Sequence, residues 1–211
     1  LIYGGRVSLL VGLLSAVISL CIGVPLGLLA GYYKGIWEMV IMRAADIFMS
    51  FPSMILILVL VSVFDPSIRT IIFVIGVLGW TDFAKLIYGN VLSIREKEYV
   101  ESAKAVGTKD FAILTKYVIP NAFAPVLINF TFRTAQAIIQ ESALSFLGMG
   151  VQPPAASWGN ILYAAQSITV LSSRPWLWVP AGILLVLTVS GINFIGDGMR
   201  DALDSRTKIK K

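Results

Sequence analysis

The chain of 211 residues is 57% hydrophobic and 14% charged, with a mean hydropathy of +0.83, whereas a soluble domain carries about 25% charged residues. There is too little polar surface to coat a water-soluble globule, and the length suggests one domain. The formal net charge of +5 sits in clusters between apolar stretches, a pattern that membrane orientation explains better than nucleic-acid binding. Histidine is absent, which removes the commonest metal ligand and general base; no catalytic group, metal or cofactor is expected. Cys21, the single cysteine, lies in an apolar run and reads as a small packing residue.

A membrane-spanning helix needs roughly 20 mostly apolar residues. Residues 7–33 carry no charge and form a first span, with Gly23, Gly27 and Gly31 recurring on one helix face, where they would let a second helix approach closely. Residues 37–64 form a second span. Arg43 and Asp46 lie near its start, three apart, so that they can pair, and Pro52 predicts a kink. Asp65-Pro66-Ser67 reads as a tight turn. Residues 68–93 form a third span whose inner half, with Asp82 and Lys85 three apart, is amphipathic and faces protein.

Residues 95–120 are the most polar stretch before the tail. Residues 121–147 form a fourth span enclosing Arg133 and Glu141. Residues 148–173 are uncharged but broken by Pro153, Pro154 and Gly159, and read as an extracytoplasmic, interfacial loop with short helical turns. A fifth span, residues 174–198, opens on Trp176 and Trp178 as an aromatic belt. No secretory signal is evident over residues 1–31. The chain opens close to its first span, which predicts a further helix upstream.

Five spans put the two ends on opposite sides. Placing the polar segment and the tail together collects thirteen of the 17 Lys and Arg residues on one side and leaves Arg6, Arg69, Arg133 and Arg174 elsewhere. Cytoplasmic loops hold such an excess. The C-terminus is therefore expected in the cytoplasm and residue 1 on the extracytoplasmic side.

Within the polar segment, residues 98–107 read as a helix with Tyr99, Ala103 and Val106 in an apolar stripe and Glu98, Glu101 and Lys104 on another face. Gly107 suits a helix stop. Thr108 can cap a second short helix, which Pro120 ends before the fourth span. The stripe is too short to bury itself, and the geometry suits docking in another protein's groove. The alternative is a helix lying on lipid headgroups. Inside the fourth span, Arg133, Gln136, Gln140 and Glu141 are candidates for a substrate path, because charges buried in a membrane usually face a bundle interior or a wet cavity. Pairing with another subunit is the structural alternative.

Glu101-Ser102-Ala103, Gly107, Tyr117, Ile119 and Pro120 resemble the EAA loop of membrane subunits of ABC importers. That pattern runs Glu-Ala-Ala, three residues, Gly, nine residues, aliphatic, any, aliphatic, Pro. Ser102 and Tyr117 depart from it mildly. Further runs are similar to the dipeptide, oligopeptide and nickel permease branch: Gly79-Trp80 through Lys85, Leu92 to Glu96, Glu98-Tyr99-Val100, Phe51-Pro52-Ser53, Glu141 through Gly148, Ser157-Trp158-Gly159-Asn160, and Arg200-Asp201-Ala202-Leu203-Asp204. Members often have one more helix before the first span.

The resemblance implies an all-α, five-span core of the type I importer permease fold in a bacterial or archaeal cell membrane. It implies a second homologous permease, two cytoplasmic ATP-binding cassette ATPases and an extracytoplasmic binding protein as partners. ATPase coupling would fall to Glu98, Glu101, Ser102, Ala103, Gly107, Ile119 and Pro120. The cargo would be a di- or oligopeptide, with glutathione or a nickel chelate as alternatives.

Three other classes compete. A secondary transporter needs ion-coupling acids at mid-membrane, where Glu141 is the one fair candidate. A membrane enzyme lacks material: no HExxH or GxSxG pattern occurs. A scaffold subunit is barely separable from a permease by sequence. Gly107-Thr108-Lys109 is only a fragment of a Walker A loop, so ATP hydrolysis requires a partner.

Overall fold

The computed structural model describes residues 1–203. Asp204 and the basic tail residues Arg206, Lys208, Lys210 and Lys211, on which part of the orientation and family reading rests, lie outside the described residues. Among the described residues every regular element is helical. The first is α1 (Ile2–Tyr33), a mast against which five later helices pack. The turn after it places Lys34 and Gly35 at φ 56° and 62°, a tight reversal into α2 (Gly35–Ser50). Then come α3 (Ser53–Val63), α4 (Ile68–Leu78) and α5 (Trp80–Arg95). The Ser67 hydroxyl caps α4 by accepting from the Thr70 amide at 3.1 Å.

The glycine face of α1 meets α5, as its spacing predicts. A Cβ on Gly27 would lie 2.6 Å from the Ala84 carbonyl oxygen, one on Gly31 would lie 2.7 Å from Val91 Cβ, and one on Gly23 would strike the Trp80 carbonyl. Gly76 of α4 is likewise pressed on Ile18, with Ser15 and Ser19 of α1 donating to the Ile72 and Gly76 carbonyls at 3.1 and 2.7 Å. Cys21 differs from expectation: it is exposed on the outer side of α1, because the packing positions of that turn are taken by Ser19 and Gly23.

Pro52 does more than kink the second span. The helices α2 and α3 meet at 88°, with Phe51 and Pro52 both extended. Proline disfavours helical geometry in the residue before it and offers no N–H to continue the ladder. The third span is also divided: α4 stops at Leu78 and α5 starts at Trp80, with Gly79 at the join.

The polar segment forms α6 (Glu98–Ala105) and α7 (Asp110–Ile113), then a π-helical turn over Leu114–Val118, then α8 (Ile119–Phe146). Pro120 was expected to end the second short helix, but the helix runs on through it. The wider π turn, in which the Ile119 amide reaches back to the Leu114 carbonyl, absorbs a residue that an α register would reject. The Asn121 side chain donates to the Tyr117 carbonyl at 2.6 Å. Thr108 does not cap α7. Its amide instead closes the end of α6 by donating to the Ala103 carbonyl at 3.0 Å.

After α8 the chain folds back as α9 (Trp158–Tyr163) and α10 (Ile168–Ser173) before the last long helix, α11 (Val179–Leu203). Trp158 and Gly159 are buried against α1 and α8.

Gly27→Val is expected to destabilise the protein by about 1–3 kcal/mol through overpacking, because the obstacle, the Ala84 carbonyl, is backbone and cannot move aside. Gly89→Val, where no atom lies within 4 Å of the added Cβ, serves as the control. The comparison is the thermal unfolding of the two purified variants in detergent.

Candidate functional site

Two regions carry polar chemistry at places where an apolar bundle has no structural need of it. The first is the hairpin of α6 and α7. Its expected stripe of Tyr99, Ala103 and Val106 is not the face that packs. Val100 and Ala103 turn inward and join Ile113 and Val118 in a core with Val91, Ile94 and Ala122. The hairpin therefore buries one face on its own permease helices, and this shifts the phase of the helix. Ala103, expected at a docking surface, is a packing residue. Glu98, Glu101, Ser102, Gly107, Ile119 and Pro120 are exposed.

Val106 is 82% exposed and Phe111 77%. These two flank the turn at Gly107 and give the hairpin an apolar tip. Gly107 itself has φ 78°, and its amide donates to the Lys104 carbonyl at 2.9 Å. Together with the Thr108 bond this is a Schellman stop, which favours glycine for its left-handed backbone. Phe111 was not among the residues singled out from sequence. Its signal was that of a large aromatic within the most polar stretch.

The second region is a cavity of about 330 Å³ at the two helix breaks, bounded by Phe51 and Ser53 beside the α2–α3 break, Gly79 and Asp82 beside the α4–α5 break, and Arg133, Gln136 and Gln140 of α8. Irregular backbone at membrane depth is tolerated where it is buried in protein or lines a wet cavity. Arg133 adds a second donor at the end of α4, where the Ile75 carbonyl already accepts from the Gly79 amide at 3.1 Å. Its Nη2 donates to the Ile75 carbonyl at 2.7 Å, and its Nη1 lies 3.9 Å from Asp82 Oδ2. A guanidinium at the C-terminal end of α4 also meets the favourable end of that helix's dipole. Glycine at position 79 leaves room for it, since a Cβ there would overlap the guanidinium and force it to shift. Asp82 is half-exposed towards the cavity. Gln136 is exposed, and the buried Gln140 Oε1 has no hydrogen-bond partner.

Glu141 is placed elsewhere. It is fully buried, does not line the cavity and does not meet Arg133. Ser8 donates to its Oε2 at 2.9 Å and Ser145 to its Oε1 at 2.7 Å. Ser8 and Ser145 in turn accept from the Trp158 and Val151 amides, both at 3.3 Å. The carboxyl group is thus the centre of a polar knot that ties α1, α8 and α9 together.

The charges near α2 pair as their spacing allows and gain a further partner from α5. Asp46 is 3.8 Å from Arg43 but 2.8 Å from Lys85 of α5. Asp82 and Lys85, three apart, take separate partners because they point to different neighbours.

Spans broken around a polar cavity, with an exposed hairpin at one end, make the architecture of a membrane transport subunit. The chain belongs to the family of binding-protein-dependent transport system inner membrane components, matched over residues 23–209. It is a multi-pass permease subunit of an ABC importer, a class that works with ATPase and substrate-binding partners.

The chain is 42% identical over 207 residues to a putative peptide permease of Brucella ovis, covering 98% of this chain and 68% of that one. It is 39% identical over 208 residues to the dipeptide transport system permease protein DppC of Alkalihalophilus pseudofirmus, covering 99% and 68%. A glutathione transport system permease protein, GsiD of Pectobacterium atrosepticum, is 35% identical over 99% of this chain and 68% of its own length. The inward-facing MetNI methionine ABC transporter shares the fold, with a TM-score of 0.80 at 22% identity, over 96% of this chain and 95% of that chain.

Glu141→Ala should orphan the Ser8 and Ser145 hydroxyls at a cost of about 1–3 kcal/mol for each unsatisfied group. The expected readout is a lower unfolding temperature with an unchanged KM for transport. A raised KM at unchanged stability would instead place Glu141 on the path.

Proposed function

We propose that this permease forms half of the translocation path of an importer of di- or oligopeptides, driven through the α6–α7 hairpin by a cytoplasmic ATPase. One observation carries the reading. The hairpin's second arm, the π turn and α8 form a single helix over Asp110–Phe146, 37 residues long, and the same helix presents Arg133, Gln136 and Gln140 to the cavity. Displacement applied at the exposed hairpin therefore reaches the polar cavity along one continuous helix, with no loop in between to absorb it. Glu98, Glu101 and Ser102 supply polar contacts to the ATPase, Val106 and Phe111 supply an apolar anchor, and Gly107 fixes the turn. Exposed Ile119 and Pro120 mark where the hairpin joins α8.

The peptide cargo is supported by the relatives named as peptide and dipeptide permeases. The cavity offers matching chemistry: a carboxylate on one side, amides and a guanidinium on the other, and a buried carbonyl oxygen free to accept an N–H. The whole importer holds two permeases, this one and a homologous partner, above two ATPase subunits, with a binding protein delivering cargo from outside. The polar hairpin and the C-terminus face the cytoplasm, and residue 1 faces out, as the distribution of Lys and Arg favours.

Co-purification with the partner ATPase tests the dock. Wild type should retain the ATPase, whereas Glu101→Lys and Gly107→Asp should lose it. Retention by both variants, or transport driven by an ion gradient without ATP, would overturn the reading. For the path, Gln140→Leu should raise the KM for uptake of a labelled dipeptide by about tenfold, the loss of one buried hydrogen bond of roughly 1–1.5 kcal/mol. Competition by unlabelled tripeptide, glutathione and nickel chelate then ranks the cargo classes.

A further inference from the structure

We infer that Tyr32, near the end of α1, is a positioning residue that ties the hairpin to the bundle and makes hairpin movement productive. The inference rests on the reading of the hairpin as the ATPase dock. Tyr32 is 4% exposed, and three separate elements converge on it. Its hydroxyl donates to Asp110 Oδ1 at 2.6 Å, at the first residue of α7 and so at the foot of the 37-residue helix. Its ring lies 5.0 Å from the Lys104 ammonium of α6, within range of a cation–π attraction. Its carbonyl accepts from Arg95 Nη1 at 2.8 Å, and Arg95 is the last residue of α5.

These contacts differ in kind from the others that hold the hairpin. The chain itself links α5 to α6 and α7 to α8, and those links persist in any state. The buried apolar face of the hairpin, Val100, Ala103, Ile113 and Val118, can slide because dispersion contacts have little directionality. The Tyr32 hydroxyl bond is directional and joins the hairpin to α1, the helix locked to α5 through its glycines. It fixes the register of both arms against the part of the bundle least free to move. Phenylalanine would keep the ring over Lys104 and the packing in the core, and would remove only the tie to Asp110. Sequence reading did not single out Tyr32, because its partners lie 63, 72 and 78 positions away, at Arg95, Lys104 and Asp110.

The test uses the assembled importer with its ATPase subunits and binding protein in proteoliposomes, and reads ATPase retention, ATP hydrolysis and uptake of labelled dipeptide. Tyr32→Phe and Asp110→Ala should retain the ATPase at wild-type stoichiometry, yet cargo moved per ATP should fall by at least about fivefold, the scale of a modest coupling free energy. Asp110→Asn, which keeps an acceptor oxygen, should stay within about twofold of wild type. The double variant should be no worse than either single, as expected for two partners in one interaction. An unchanged ratio of cargo to ATP in Tyr32→Phe, including the case in which hydrolysis and uptake fall together with stability, would overturn the inference. Additive losses in the double variant would do the same. Failure of wild type to retain any ATPase, or full retention by both Glu101→Lys and Gly107→Asp, would sink the docking reading itself and is separately visible in the retention assay.

Discussion

The close approach of α1 and α5 is the constraint on which the rest of the structure depends. In a bilayer no water is expelled when two helices meet, so association rests on dispersion and on hydrogen bonds that backbones can share at short range. Gly23, Gly27 and Gly31 remove the side chains that would hold the helices apart, and α5 fills the space with Phe83, Ala84, Ile87 and Val91. With α1 fixed to α5, the serines of α1 reach the carbonyls of α4, and Ser8 reaches Glu141 of α8. The broken second span and the hairpin are then arranged around an already rigid pair.

That rigidity lets the fold carry two discontinuous spans. The break at Phe51-Pro52 interrupts the helical ladder, and apolar surroundings make unpaired backbone groups costly, whereas at Gly79 the amide still donates to the Ile75 carbonyl at 3.1 Å. The Arg133 guanidinium covers the Ile75 carbonyl at the end of α4, and its charge is partly balanced by Asp82. The same guanidinium and carboxylate make the adjoining space polar. A bundle of continuous apolar helices would have been simpler to stabilise but would have enclosed no polar cavity. The cavity and the broken backbone are therefore two aspects of one arrangement.

At the other end of α8, the hairpin has two faces with different work. Val100, Ala103, Ile113 and Val118 hold it to the bundle, while Val106 and Phe111 are left outside at its tip. Both are large exposed apolar groups on an otherwise polar element. The helix continues without a break through Pro120 because the π turn absorbs the proline, so Phe111 at the tip and Arg133 at the cavity wall belong to one continuous helix. An ordinary α-to-loop-to-α joint at Pro120, as the sequence alone suggests, would have let the two move independently.

By itself the sequence determined the membrane class, the helical architecture, the close-packing glycine face and the hairpin ended at Gly107. Each of these depends on local composition and on helical period, which are properties of short stretches. Tertiary structure decided which face of α6 is buried, since that depends on what α5 and α8 present to it and not on the stripe in residues 98–107. It decided that Glu141 belongs to a knot with Ser8 and Ser145 while Arg133 and Gln140 belong to the cavity, although all three lie on one helix within nine residues. It also decided that Lys85 joins Arg43 at Asp46 and that Asp82 answers Arg133, contacts between helices that spacing along one helix does not show. Partners in a hydrogen bond or ion pair are chosen by distance in space, and for residues many turns apart that distance is set only when the helices have packed.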